Sequence, residues 1–159
     1  MMKRLTCLSA LALISALAVA VPTGAASDRT ILNVAVQPRL AGAQTVFGVP
    51  PGAALWQIDH GRVHVKAGGR VLVRTRGLTI PDSSPPNPVP QIAAAVYCDG
   101  AFAARTAPEP FSTQGDARID QTVALPADCD RPAVLLNPVR LVDGVPTLLN
   151  AYIAFAGVN

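Results

Sequence analysis

Cationic side chains alternate along the stretch between positions 60 and 76. Six residues of this stretch are candidates for binding an anion: Arg62, His64, Lys66, Arg70, Arg74 and Arg76. Alternate residues of a β-strand point to the same side, so two adjacent strands would collect these side chains on one face. No acidic residue lies between 60 and 81. This face is therefore a candidate site for an anionic partner such as a cell-wall polymer, an acidic polysaccharide or a lipid head group.

The loop between the two strands decides which side chains share that face. A two-residue loop at 68–69 would pair Lys66 with Val71 and place a charge and a core residue together. A three-residue loop over 67–69 instead pairs Val65 with Val71, and every valine of the two strands then faces inward. The sequence therefore predicts the three-residue loop.

This register places like charges side by side. Arg62 falls opposite Arg74, and Lys66 falls opposite Arg70, which destabilises a strand pair. Two interpretations stay open: the face binds a polyanion, or it is a solvated surface partly neutralised by acids of a neighbouring strand, for which the segment 116–120 is the source. Nucleic acid is not expected as the partner, because aromatic stacking platforms are missing and the chain is expected to be exported.

The only two histidines, His60 and His64, follow Asp59 in a pattern that would suit a metal ion if the segment were helical. The alternating valines around them indicate a strand instead, in which residues four apart lie roughly 13 Å from each other. No metal site and no cofactor are therefore predicted.

Catalytic motifs are missing from the sequence. It contains neither a G-x-S-x-G nucleophile elbow nor an H-E-x-x-H metal motif. The single glutamate, Glu109, lies between two prolines in a predicted loop. We predict a protein that is not an enzyme, and the alternative is an envelope-acting hydrolase whose site is built from loops.

The chain begins with the features of a secretory signal peptide. Lys3 and Arg4 precede an apolar run over 8–21, and small residues follow it. The run is shorter than the roughly 20 residues that span a bilayer, and the combination is typical of a cleaved export signal. We expect cleavage after Ala26, with Ala20 as the alternative. The protein would then be secreted or envelope-associated, and would meet the membrane only through this signal.

The predicted mature domain covers 27–159. Removing 1–26 takes away two of the 13 basic residues and none of the 10 acids, so the net charge falls from +3 to +1. It also removes Cys7. The remaining cysteines, Cys98 and Cys129, are expected to form a disulfide, as paired cysteines of exported proteins do.

Short apolar stretches separated by Gly, Pro and Asp-Gly turns indicate a β-strand protein. The predicted strands cover 30–37, 54–59, 62–66, 70–76, 91–98, 101–106, 117–125, 133–136 with an extension to 141, and 152–156. The dipeptide at 99–100 suits a two-residue type I′ turn, which would pair Cys98 with Ala101. The pattern predicts an all-β, Greek-key-like sandwich of about seven to nine strands.

Two apolar features complete the set of candidates. Trp56 is expected in the core, and stacking on a sugar ring is its alternative. The apolar segment 148–156 is a candidate strand edge for self-association. The oligomeric state itself is left open.

Several segments of the C-terminal half carry a resemblance to known proteins. They are 87–94, 97–98, 115–117, 125–129, 133–138 and 152–154. In these segments the chain resembles small secreted proteins of actinobacterial type. The resemblance implies an immunoglobulin-like sandwich and a Cys–Cys bridge, but no activity and no functional residues. Trp56 precedes both cysteines, which departs from the Cys-Trp-Cys order of true immunoglobulin domains. We therefore expect a non-enzymatic structural or binding module whose partner is an anionic envelope polymer or a protein.

Overall fold

The computed structural model describes residues 28–158. The predicted signal peptide over 1–26 and its cleavage site lie outside the described residues. The described chain forms eleven strands, and it has no helix that is long and apolar enough to cross a membrane. The strands are β1 (Thr30–Ala35), β2 (Gln37–Pro38), β3 (His60–Lys66), β4 (Arg70–Arg76), β5 (Gln91–Cys98), β6 (Ala101–Arg105), β7 (Glu109–Pro110), β8 (Ala117–Thr122), β9 (Pro132–Val142), β10 (Val145–Leu148) and β11 (Ala154–Ala156).

The strands form two antiparallel sheets that pack together. One sheet has four strands in the order β1-β3-β4-β8. The other has the order β2-β11-β9-β5-β6, with β10 beside β9 and β7 beside β5. The predicted all-β sandwich is confirmed. The strand count in the described chain exceeds the predicted seven to nine because β2 and β7, of two residues each, and β10 pair as separate strands.

The main core lies between the two sheets. Inward-facing side chains of β3, β4 and β8 alternate with exposed ones, as the period of a strand requires. Their fully buried members include Val63, Val73 and Ile119, which share one apolar cluster with Ile92 and Leu136 of the larger sheet. Burying each such side chain contributes roughly 1.5–3 kcal/mol, so this layer carries much of the stability.

The larger sheet is buried on both faces. All residues of β5 after Gln91 are buried, as are the first eight of β9. Its outer face is covered by a second cluster made of Val49, Ala95, Tyr97, Ala133, Leu135 and Tyr152. The hydroxyl of Tyr152 donates a hydrogen bond to the carbonyl of Gln44 at 2.6 Å. The loop that contains Gln44 is thereby attached to this outer face.

The prediction of an exposed apolar edge over 148–156 is wrong for most of the segment, although Leu148 ends β10, which pairs with β9 alone. Within this segment β11 lies between β2 and β9, so both of its sides are paired. Tyr152 and Ile153 are buried. The segment is apolar because it contributes to both clusters of the larger sheet.

The predicted strand over 54–59 is also wrong, although Trp56 is in the core as expected. Trp56 is buried and stacks on Phe111, with ring centroids 6.3 Å apart. Its amide bonds to the carbonyl of Arg39, whereas Gln57 forms an isolated bridge with Thr79. Because successive residues bond to different segments, no continuous strand pairing develops.

Both hairpin turns predicted from the sequence are confirmed. Asp99 and Gly100 have φ values of 51° and 84°, as a type I′ turn requires, and Cys98 pairs with Ala101. The disulfide between Cys98 and Cys129 is present, with Cα atoms 4.9 Å apart. It joins the end of β5 to the loop that precedes β9.

Two edge strands carry one residue more than the strand they pair with. Between Thr30 and Leu32 the register of β1 against β3 shifts, so Ile31 is the extra residue. Between Phe102 and Ala104 the register of β6 against β5 shifts in the same way. Each shift is a β-bulge, which interrupts the regular row of backbone hydrogen-bonding groups.

The two tyrosines are expected to make the protein less stable at alkaline pH. Burial raises the pKa of Tyr97 and of Tyr152 above the ordinary value of 10.0. Because the folded state then keeps these protons longer than the unfolded state, stability is intact below pH 10 and falls as pH rises through the folded pKa values. In an ultraviolet titration we expect phenolate absorbance to appear above pH 10, together with loss of the near-ultraviolet circular dichroism. Half or more of the full phenolate absorbance at pH 10 in a folded protein would contradict this.

Candidate functional site: the basic face of the four-stranded sheet

The β3–β4 hairpin has the register predicted from its valines. Val65 pairs with Val71 and Val63 with Val73, around a three-residue loop. Gly69 of this loop has a φ of 86°, and a Cβ at this position would overlap the carbonyl oxygen of Val123. The loop therefore needs glycine at 69 both for its backbone conformation and for its close approach to the chain that follows β8.

The structure places all six predicted cationic residues on β3 and β4, and β8 adds a seventh. Arg62 pairs with Arg74, and Arg74 pairs in turn with Arg118. Strands lie about 4.8 Å apart, so these three side chains form a row about 10 Å long across three strands, named here the arginine row. Sequence reasoning missed Arg118 as a member, because it treated 116–120 only as a source of acids.

One end of the hairpin is neutralised. Near the loop, Lys66 forms an ion pair with Asp28, and Arg70 forms two hydrogen bonds with the carboxylate of Asp120, at 2.9 and 3.1 Å. Hydrogen bonds from these cations hold the pKa of each of the two carboxyl groups below its usual range. The segment 116–120 therefore supplies one neutralising acid, as the solvated-surface interpretation expected.

The end away from the loop is only partly neutralised. Arg62 donates to the neutral amide oxygen of Asn33 at 2.8 Å. For Arg74 and Arg76, no carboxylate of the residues that the structure describes lies within salt-bridge distance. Arg118 shares the carboxylate of Asp120 with Arg70, at 3.0 Å.

Asp116 does not neutralise the positive charge at this end of the face. The carboxylate of Asp116 accepts a hydrogen bond from the backbone amide of Gly77 at 3.1 Å. It therefore fixes the end of β4 and forms no ion pair with the arginine row. The positive charge is concentrated on the half of the face that lies away from the hairpin loop.

A shallow cleft lies beside the arginine row. It has a volume of about 300 Å³ and is lined by Arg62, His64, Leu72 and Arg74. His64 pairs with Leu72, and this pair lies closer to the hairpin loop than the pair of Arg62 and Arg74. The cleft thus offers two guanidinium groups, each able to bind an oxyanion through two parallel hydrogen bonds, beside an apolar surface from Leu72.

The other residues considered as metal ligands or catalytic groups lie outside the cleft beside the arginine row. His60 pairs with Arg76 at the far end of β3, and within residues 28–158 no three His, Cys, Asp or Glu side chains gather as a metal site. Glu109 accepts a hydrogen bond from Gln121 at 2.6 Å. The loops also enclose a polar cleft of about 300 Å³ that contains Asp59 and Asp82. The alternative of a loop-built hydrolase site stays a prediction.

Comparison with known proteins adds no assignment. No family model, curated protein or solved structure matches the chain. The resemblance to small secreted proteins of actinobacterial type therefore stays a prediction.

Proposed function

We propose that this protein is an exported, non-enzymatic module with an immunoglobulin-like sandwich that binds an anionic polymer of the cell envelope through the arginine row. The observation that carries the proposal is the direct pairing of Arg62 with Arg74 and of Arg74 with Arg118. Like charges that face each other on neighbouring strands destabilise a sheet. A bound anion would relieve this repulsion, because each of its charged groups can accept from two guanidinium groups at once.

The extent of the charged region favours a polymer over a small anion. The arginine row crosses three strands, and Arg76 continues the charge along β4. A single phosphate or carboxylate would contact two of these side chains, whereas a chain of repeated charges would contact all of them. The low net charge expected for the mature chain, +1, indicates that such binding depends on this local arrangement more than on overall charge.

The compartment and the surface chemistry support an envelope polymer over nucleic acid. A disulfide is stable in oxidising compartments outside the cytosol. No Phe, Tyr or Trp occurs in β1, β3, β4 or β8, which form the sheet that carries the arginine row. Stacking of bases on aromatic rings, which supports binding of single-stranded nucleic acids, is therefore not available on this face.

Changing both arginines of the cleft should abolish most of this binding. For Arg62→Gln/Arg74→Gln we expect affinity for polyphosphate, heparin and purified cell envelopes to fall about tenfold or more at low salt, with a shallower salt dependence, because counterion release scales with the number of contacts. The melting temperature should stay unchanged or rise, because the repulsion between the two strands is removed. Binding is measured by isothermal titration calorimetry and envelope co-sedimentation.

The matched control removes the same charge from the larger sheet. Arg105→Gln/Arg140→Gln, on β6 and β9, should keep most of the affinity when the two double variants are compared at the same salt concentration. An equal loss in both variants would show that only overall charge matters. If neither variant loses affinity, the arginine row is a solvated surface and not a binding site.

A further inference from the structure

A tight turn on the outer face of the larger sheet has an unusual residue in its first position. Val46 and Val49 exchange two backbone hydrogen bonds, at 3.0 and 2.8 Å, around Phe47 and Gly48. The φ values of these central residues are 49° and 78°. The described chain has two more turns with similar φ values, at 99–100 and 143–144, and both have the sequence Asp-Gly.

Phe47 is a poor choice for this backbone conformation. Type I′ turns favour Asn, Asp or Gly at the first central position, because a bulky L-residue is strained at positive φ. The chain uses Asp at the two equivalent positions, where the φ values are nearly the same. Strain of this kind persists where the surrounding structure enforces it, and it is enriched at functional sites.

The strained turn presents an aromatic ring to solvent. The ring of Phe47 stacks on Tyr97 with centroids 4.8 Å apart and an interplanar angle of 26°, yet Phe47 is 37% exposed. Phe102 meets the same tyrosine edge-on at 5.7 Å and is 53% exposed. Two exposed rings therefore pack on one buried ring.

A cleft adjoins the ring of Phe47. Its volume is about 210 Å³, and it is lined by Phe47, Asp99, Gly100, Arg131, Ala133 and Gly157. Arg131 donates to the carboxylate of Asp99 at 2.9 Å. The cleft therefore has an aromatic wall, and beside it one hydrogen-bond donor and one acceptor group whose charges cancel.

We propose that this cleft binds one ring of a neutral saccharide. A hydroxyl group both donates and accepts hydrogen bonds, so sugar hydroxyls can accept from Arg131 and donate to Asp99. The C–H face of the ring packs against Phe47. The volume is below the roughly 300–1,000 Å³ of clefts for drug-sized ligands, which suits a single ring.

Other ligand classes fit the cleft less well. An anion or a cation would meet one like and one opposite charge in the pair of Asp99 and Arg131, so this pair gives no net attraction to either. A purely apolar group would cover this ion pair without replacing its contacts with water, which is unfavourable. The site is separate from the arginine row, which lies on the other sheet, and the proposal does not depend on polyanion binding.

The test is a titration of the ¹⁵N-labelled protein with neutral hexasaccharides of glucose, mannose and N-acetylglucosamine. We expect millimolar or tighter binding of at least one, with amide shifts at Gly100, Ala133 and Gly157. The affinity should be unchanged between low and moderate salt, which distinguishes this site from the arginine row. Absence of shifts at these amides with all three sugars would overturn the proposal.

The decisive variant is Phe47→Asn. Because asparagine is favoured at positive φ, this variant should be at least as stable as the parent protein while its saccharide affinity falls about tenfold or more. Arg131→Ala should weaken binding as well. A marked loss of stability in Phe47→Asn would show that the ring is retained to cover Tyr97, and unchanged affinity would show that the ring is not part of a site; either result overturns the proposal.

The matched control removes an exposed apolar side chain elsewhere. Leu141 is 50% exposed on β9, and it lies eight residues beyond Ala133 of the cleft, about 26 Å along the strand. Leu141→Asn should leave saccharide binding unchanged. An equal loss in this control would show that the shifts report non-specific association with apolar surface, and would also overturn the proposal.

Discussion

Removing the disulfide between Cys98 and Cys129 is expected to lower the free energy of unfolding by roughly 3–4 kcal/mol, because the bond closes a long loop in the unfolded chain. The two cysteines are 31 residues apart, and both are buried. The variant of choice is Cys98→Ala/Cys129→Ala, since alanine leaves no unpaired hydroxyl group in the core. The stability of single domains is typically about 5–15 kcal/mol, so a large part of it would be lost.

Urea unfolding followed by circular dichroism measures this effect. The midpoint should move to lower urea concentration in the alanine variant, and the parent protein under reducing conditions should show a similar shift. A change below about 1 kcal/mol would mean that the loop is held equally well by its packing against β9, and that the expected loss of loop-closure entropy does not apply.

Gly115→Ala is expected to destabilise the protein by more than about 3 kcal/mol, because it combines backbone strain with overpacking. Gly115 has a φ of 80°, and a Cβ on it would overlap the backbone of Leu78. Its carbonyl oxygen accepts from the amide of Leu78 at 3.0 Å and from the hydroxyl of Thr75 at 3.2 Å. Any movement that relieves the overlap would therefore weaken these bonds.

Gly144 provides the matched control for this substitution. Its φ of 79° is nearly the same, but no atom lies within 4 Å of the point that a Cβ would occupy. Gly144→Ala should therefore cost only the backbone strain, about 1–2 kcal/mol. Equal losses in the two variants, measured by urea unfolding, would show that the contact with Leu78 relaxes without cost.

Local sequence signals predicted the parts of the fold that depend on neighbouring residues. The alternating valines of β3 and β4 determine the register, because a two-residue loop would place Lys66 on the same face as Val71. The Asp-Gly turn at 99–100 determines the pairing of β5 with β6. The outer positions of Arg62 and Arg74 follow from the same alternation, so most of the candidate site was predictable.

The pairing of strands that are far apart in the sequence could not be predicted from local sequence signals. Arg118 joins the arginine row only because β8 lies beside β4, and these strands are about 40 residues apart in the sequence. The strands β7 and β10 were missed because each contains a proline, which local propensity excludes from strands. The apolar segment that contains Trp56 resembled a strand, but Trp56 and Ile58 pack in the core without continuous strand pairing, and Leu55 is exposed.

The site at Phe47 shows a different limit of sequence reasoning. The dipeptide Phe-Gly at 47–48 is not a typical signal for a type I′ turn, so the sequence predicts only a loop there. Its departure from the usual residue becomes visible once the φ values are known.

The edge strands of both sheets affect whether molecules aggregate when many copies bind to one polymer. An extra residue interrupts each of the edge strands β1 and β6, the edge strand β2 has only two residues, and β8 carries exposed Arg118 and Asp120. The free side of β10 spans only four residues, and one of them, Pro146, has no amide hydrogen to donate. A second molecule would therefore find no long straight row of free amides and carbonyls to continue. We therefore expect molecules bound side by side to remain separate particles and not to grow into fibrils, so that dense coverage of a polymer stays reversible on dilution or washing with salt.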